Sequence, residues 1–326
     1  MIQVGIIGGA GYTGGELIRL LLRHPKTEIN FVQSNSNAGN PITKIHMDLE
    51  GETDITFSAE HHHDIDVLFL CAGHGEAKKF LEQYEFPASV RIIDLSHDFR
   101  LSESATLKKR KFIYGLPELN REWYRGNTSV DIANPGCFAT AIQLGLLPLA
   151  KAGILTDVYT TGITGSSGAG QSLSSTSHFS WRANNIQAYK TLSHQHLSEI
   201  GESLLHLQPE SDIEINFVPW RGDFTRGIFI SSTVNCDLSE MEIFNLFNDY
   251  YASHPFTHVV KDGVHLKQVI NTNKCLIQPE KVGSKLVIHS VIDNLLKGAS
   301  GQAVQNMNLI YGLDESMGLD LKASFF

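Results

Sequence analysis

A strand that runs straight into a glycine loop and then a helix constrains this chain more than any other feature. Residues 2–7, IQVGII, form a β-branched apolar run, GGAGYTGGEL follows, and ELIRLLLRH carries apolar residues at helical spacing until Pro25. The alternation then continues. EINFVQ (28–33), DVLFLCA (66–72) and RIIDLS (91–96) read as further strands, and EAKKFLEQY reads as the helix between the last two. Apolar strands separated by helices predict a parallel, doubly wound α/β sheet of the Rossmann type. Gly9, Gly11 and Gly14 fit G-x-G-x-x-G, with Gly8 extending the loop and Tyr12 and Thr13 at the helix start. In that βα setting the glycines let the backbone approach a pyrophosphate, which sits where helix amides point outward. Dinucleotide binding is the expectation. An NAD-binding chain commonly ends its second strand with Asp or Glu, but here the segment is FVQSNSNAG. Ser34 and Asn35 carry no negative charge to repel a 2′-phosphate, so NADP is the expected cofactor.

Composition narrows the class. The 326 residues carry a formal charge of −9 and no Lys/Arg run of the kind that neutralises a phosphate backbone, so no nucleic-acid partner is expected. The start of the chain shows no basic leader, and runs such as VLFLCAG are too short to cross a bilayer, so a soluble cytoplasmic chain without a membrane partner is expected. Cys71, Cys137, Cys236 and Cys275 are scattered without a CxxC pair, and neither a disulfide framework nor a metal site is indicated. The triple histidine His61–His63 reads as a solvated loop between an acidic stretch and the strand DVLFL.

One cysteine is placed for chemistry. Asn134-Pro135-Gly136 breaks regular structure, and an apolar helix begins close to Cys137. A helix N-terminus stabilises a thiolate, although a buried structural cysteine fits this stretch equally well. A thiol nucleophile beside a nicotinamide points to aldehyde or acyl-phosphate oxidoreduction, because a thioester accepts hydride. That chemistry needs a proton carrier and cations for the substrate. Arg100 and Arg226 each offer a planar guanidinium for phosphate or carboxylate.

GGAGYTGGEL, DLSHDFRL, YGLPEL, NPGCFAT, GSSGAG, the His194/His196 pair of SHQHLSEI, FTRGIF and GASGQAVQNMNL occur in this order along nearly the whole chain. The set resembles N-acetyl-gamma-glutamyl-phosphate reductase, a family related to aspartate-semialdehyde dehydrogenase. The resemblance implies a Rossmann domain (1–136 and 298–326), a second α/β catalytic and oligomerisation domain with a mixed sheet (137–297), NADPH and a homo-oligomer. It also implies an arginine-biosynthetic reduction of N-acetyl-gamma-glutamyl phosphate, in which Cys137 forms a thioester and expels phosphate. His194 and His196 fall in the family's H-x-H motif. His196 is favoured as acid/base because Glu199 lies one helical turn away. Ser167, Gly168 and Asn294 are implied near the cofactor, and Arg100, Asn134 and Arg226 near the acyl-phosphate substrate. The chain departs from the family pattern at Gln171 and Ser172, which replace a usual basic pair, at Trp220, where histidine is common, and at Asn35, in place of arginine. An N-succinyl substrate therefore stays open, as do aspartate-semialdehyde dehydrogenase and a non-catalytic NADP(H) sensor.

Overall fold

A computed structural model describes residues 1–209 and 211–326. Residue contacts divide it into two compact units, Met1–Gly136 with Ala299–Asp320, and Cys137–Gly298 with Leu321–Phe326. The tail Leu321–Phe326 thus groups with the second unit, whereas the sequence reading had it in the first. The Ser324 amide donates to Ile270 O and the Phe325 ring meets His265.

In the first unit the strands are β1 (Ile2–Ile7), β2 (Thr27–Gln33), β3 (Phe57–Ser58), β4 (Val67–Leu70), β5 (Arg91–Asp94), β6 (Thr106–Leu107), β7 (Arg110–Tyr114) and β8 (Asp131–Ala133). They form one sheet in the order β3-β2-β1-β4-β5-β8-β7-β6. Every pairing is parallel except the edge hairpin β6–β7. The central strands β4 and β5 are buried along their whole length, as expected where helices cover both faces of a parallel sheet. Strand order reverses between β1 and β4, the switch point at which α/β sheets receive ligands. Helix α1 (Tyr12–Leu21) leaves β1 there and buries Leu17, Ile18, Leu20 and Leu21. Helix α2 (Glu76–Gln83) follows β4, and α3 (Pro117–Asn120) follows β7. The start of α2 is capped from a distance: the Asp98 carboxylate accepts the Gly75 and Lys78 amides at 2.7 and 3.0 Å. That bond fastens the loop after β5 to the loop after β4.

The second unit holds a mixed sheet of β9 (Val158–Thr164), β10 (Gln187–Ala188), β11 (Ile215–Arg221), β12 (Ile228–Asn235), β13 (Thr257–Val259), β14 (Cys275–Val282) and β15 (Lys285–Ile292). Its order is β10-β11-β9-β12-β15-β14-β13. Helices α4 (Cys137–Lys151), α5 (Phe179–Arg182), α6 (His196–Leu207) and α7 (Glu240–Tyr251) belong to this unit, and α8 (Gly301–Ile310) returns to the first. In α8, Asn306 accepts the Tyr124 hydroxyl and donates to Gly115 O and Asn134 Oδ1.

Helix α4 is the centre of the second unit. Every residue from Phe138 to Ala150 is buried, so it is enclosed on all sides, unlike a surface helix. Pro148 lies inside it and has no N–H for the carbonyl of Leu144. The Tyr251 hydroxyl at the end of α7 donates to that carbonyl instead. A buried carbonyl without a donor is costly, so Tyr251→Phe is expected to lower unfolding stability by about 1–3 kcal/mol. Urea titration of the two proteins reads this directly, and equal midpoints would remove the assigned role.

No helix among the described residues is long and apolar enough to cross a membrane.

Candidate active site

The first unit presents a glycine loop. Gly8 has φ +76°, and a Cβ there would lie 2.8 Å from Cys71 O. A Cβ on Gly14 would lie 2.6 Å from Gly9 O, so helix and loop touch backbone to backbone. Gly11 is different, with only Gly8 O near its missing Cβ, at 3.7 Å. Gly11 is also the residue before α1, in extended conformation, with no side-chain cap and no acidic residue in the first helical turn. The amides that begin at Tyr12 therefore meet neither a protein cap nor a carboxylate, which suits a pyrophosphate. The Gly8 and Gly9 amides both donate to Gln33 O at 3.1 Å, fixing the loop to the end of β2. No sequence pattern marks His46, whose Nε2 donates to Gly9 O at 2.8 Å and whose ring fills the space beside Gly15.

Past β2 the rim is uncharged. Ser34 is buried and its hydroxyl accepts Asn37 Nδ2, while exposed Asn35 accepts Gln33 Nε2. Arg100 and Asn134 lie in the same unit and are both buried. Arg100 Nε donates to Asn134 O at 2.8 Å and Nη2 to Leu95 O at 3.0 Å. The Asn134 side chain donates to Ala299 O and accepts Asn306 Nδ2, so it ties α8 to the end of β8. Asp94, at the end of β5, accepts the Ser96 amide and hydroxyl, and burial pushes its carboxyl up to about 7.

The second unit presents the thiol. Cys137 is the first residue of α4 and half-buried, and the first turn contains no acidic residue to oppose the field of the helix. Gly298 packs on it: a Cβ added there would come within 2.8 Å of Cys137 Cβ. Gly298 belongs to a π-helical turn, Leu296–Ser300, that runs into α8. Such turns often sit at functional sites. Phe138, the next residue of α4, meets the His194 ring edge-on at 5.5 Å.

His194 and His196 are both buried, with rings 4.6 Å apart. The His196 amide donates to His194 Nδ1 at 3.2 Å, which fixes His194 with its proton on Nε2. Burial, with help from Lys190, lowers the His194 pKa to about 4, so this ring is neutral near pH 7. His196 begins α6, and its Nε2 lies 3.7 Å from Glu199 Oε1, the partner expected from the sequence. Tyr189 completes the group, its ring 5.9 Å from His194. Burial, then the charge of nearby Cys137, pushes its phenol up to about 12. The sequence reading missed Tyr189 because one tyrosine in AYKTLSHQH carries no signature.

Around the thiol side of this unit, Ser167, Gly168, Asn294 and Arg226 come together. Asn294 accepts the Gly227 amide and donates to the Ser167 hydroxyl, which in turn donates to Thr225 O. Gly168 packs against Thr164 and Asn294. Arg226 is matched by a residue the sequence reading did not single out: its Nε and Nη2 donate to the two oxygens of fully buried Asp293, each at 3.1 Å.

His61–His63 lie in a segment without regular structure, but His61 is not simply solvated. Its ring packs on Phe80, Tyr84 and Phe86, at 4.5 to 5.4 Å. Among the described residues no group of three or more His, Cys, Asp or Glu is placed to hold a metal ion.

Two family models match the chain: "Semialdehyde dehydrogenase, NAD binding domain" over residues 3–126 and "Semialdehyde dehydrogenase, dimerisation domain" over 137–294. Relatives named N-acetyl-gamma-glutamyl-phosphate reductase, from Bacteroides thetaiotaomicron and Flavobacterium johnsoniae, are 57% and 52% identical to it, with full coverage of both chains. The chain belongs to the N-acetyl-gamma-glutamyl-phosphate reductase family. Among solved structures, aspartate semialdehyde dehydrogenase II of Vibrio cholerae, complexed with ASA, covers 95% of the chain and 98% of its own length. Its TM-score is 0.73 at 17% identity, a likeness of fold. The NADP-containing Candida albicans aspartate semialdehyde dehydrogenase has TM-score 0.70 at 15% identity, covering 96% of the chain and 99% of its own. Membership makes the chain an oxidoreductase whose first unit is the dinucleotide-binding domain.

Two measurements follow for a reductase with these side chains. Burial pushes the Cys71 thiol up to about 12, and Cys236 and Cys275 are buried, so iodoacetamide at neutral pH should label Cys137 first. Peptide mapping after limited alkylation checks it, and first labelling elsewhere would contradict the geometry. His194 binds its proton less readily folded than unfolded, so its contribution to stability is complete above about 6.5 and is lost as pH falls toward about 4. His194→Gln should make the stability–pH curve shallower in that window, as read by urea unfolding at each pH.

Proposed function

We propose that this chain catalyses the NADPH-dependent reduction of N-acetyl-gamma-glutamyl phosphate to N-acetylglutamate 5-semialdehyde with release of phosphate, as a cytoplasmic homo-oligomer in arginine biosynthesis. The observation that carries the reading is the thiol at the start of a wholly buried helix, in one unit with the Tyr189–His194–His196–Glu199 group. Relatives bearing the reductase name, identical at over half of all positions, supply the substrate class. The dimerisation-domain match supports an oligomer.

The residues divide the work as follows. Cys137, as thiolate under the field of α4, attacks the acyl carbon. The carbon–oxygen bond to phosphate breaks, phosphate leaves with the electron pair, and a thioester remains on Cys137. The Gly8–Gly14 loop and the amides from Tyr12, Thr13 and Gly14 would hold NADPH, with Ser34 and Asn35 at its ribose, and the bound cofactor would supply a hydride. His196 supplies a proton to the oxygen of the Cys137-bound hemithioacetal and takes it back as the carbon–sulfur bond breaks, releasing aldehyde and thiolate. Glu199, 3.7 Å from Nε2, orients the His196 ring for this exchange. His194, neutral near pH 7, orients His196 by accepting its amide. Arg226, steadied by Asp293, and Arg100 supply cationic N–H groups for the substrate, and Asn134 holds Arg100 in place through its carbonyl. Ser167, Gly168 and Asn294, in a loop held by the Asn294–Ser167 bond, are the second unit's residues that would contact the cofactor.

The test is phosphate-dependent NADP+ reduction with N-acetylglutamate semialdehyde. The native protein should turn over, Cys137→Ser should not, and His196→Asn should lose about 10²–10⁴ in kcat, the usual worth of a proton carrier. Full activity in Cys137→Ser would remove the thioester route.

A further inference from the structure

The buried and half-buried arginines of this protein differ in what faces them. Arg110, Arg121 and Arg226 each face a buried carboxylate, of Asp131, Glu315 and Asp293, at about 3 Å. Among the described residues Arg182 and Arg221 face none, although both belong to the unit that carries the thiol. Arg182, the last residue of α5, is only 8% exposed. Its Nη2 donates to Asn185 O at 2.9 Å and to Arg221 O at 3.4 Å, while its Nε and Nη1 are buried with no hydrogen-bond partner. Arg221 ends β11, half-buried, with its guanidinium 5.1 Å from the centre of the Tyr189 ring. Its Nε is buried without a partner too. The acidic residue nearest in sequence, Asp223, accepts the Asn184 amide.

A guanidinium withdrawn from water without an anion is unstable, and orphaned N–H groups add to that cost. Two such guanidiniums, one of them reaching the backbone carbonyl of the other's residue, call for a counter-ion from outside the chain. Planar N–H donors match a carboxylate, and the flat ring of Tyr189 beside Arg221 suits the methylene chain that carries one better than it suits a hydrated phosphate. Tyr189 in turn borders His194, next to the H-x-H group. We propose that Arg182 and Arg221 form a carboxylate-binding subsite for the substrate beside the Tyr189–His194 pair. The identity of that substrate rests on the reductase reading. The carboxylate is either the α-carboxylate of the glutamyl group or the free end of a dicarboxylic N-acyl group.

The experiment compares each carboxylate with its carboxamide. Phosphate-dependent NADP+ reduction is measured on N-acetylglutamate semialdehyde and its α-carboxamide, and on N-succinylglutamate semialdehyde and the amide of its succinyl end, for the native enzyme, Arg221→Gln, Arg221→Lys and Arg182→Gln. In the native enzyme one carboxylate should be preferred over its amide by about 10–100-fold in kcat/KM, the size of a lost charged hydrogen bond. Arg221→Gln and Arg182→Gln should abolish that preference and Arg221→Lys should keep part of it. The arm on which it collapses names the carboxylate. Equal slowing of acid and amide substrates in the variants would overturn the subsite, as would a raised KM for phosphate with the acid preference intact. Calorimetric titration with N-acetylglutamate and N-succinylglutamate reads the same site without turnover. Binding of either ligand that is lost in Arg221→Gln, in a native protein that turns over neither semialdehyde, would uphold the subsite and reject the reductase reading. Binding unchanged in the variants would overturn the subsite itself.

Discussion

One carboxylate with no exposure to solvent, that of Asp293, organises the thiol-bearing unit. Its oxygens accept Arg226 Nε and Nη2, the Asn271 amide, and the Leu295 and Leu296 amides. These donors come from the Arg-Gly turn before β12, the turn before β14 and the start of the π-helical segment. A buried anion is tolerated only when so surrounded, and the surrounding groups lose their freedom in return. The consequence reaches the nucleophile, because Gly298 of that segment donates its amide to Asp293 O and lies against Cys137. The position of the sulfur is thus set by a polar cluster as well as by the apolar walls of α4.

The two histidines show how one short motif yields two different groups. His194 sits among Phe138, Tyr189 and Phe217, where the charged ring is disfavoured, while His196 has a carboxylate one helical turn ahead. Environment separates the two imidazoles, leaving one neutral and fixed in orientation and setting the other beside a carboxylate.

The alternating half of the fold was legible because its periodicities are strong. β1, β2, β4 and β5, with α1 and α2, fall within a few residues of the runs read from sequence. The thiol, the H-x-H pair and Glu199 were also legible, since all three are local in sequence. What local pattern could not show was pairing across long separations. Asp293 meets Arg226 across 67 residues, and Asn306 meets Asn134 across 172. No spacing rule marks such partners, and a guanidinium looks the same in sequence whether a carboxylate faces it or not. Short irregular elements were likewise invisible: the π-helical turn at Leu296–Ser300 reads as an ordinary small-residue helix start, and His61 reads as a loop residue although aromatic rings surround it.

The bond from both Gly8 and Gly9 amides to Gln33 O has a consequence for engineering. The turn proposed to receive the diphosphate and the strand end proposed to meet the adenosine ribose are clamped through a single oxygen atom. A segment graft after Gln33 that tilts this peptide drags the phosphate turn with it, so exchanging one nicotinamide coenzyme for the other is a backbone problem before it is a side-chain one.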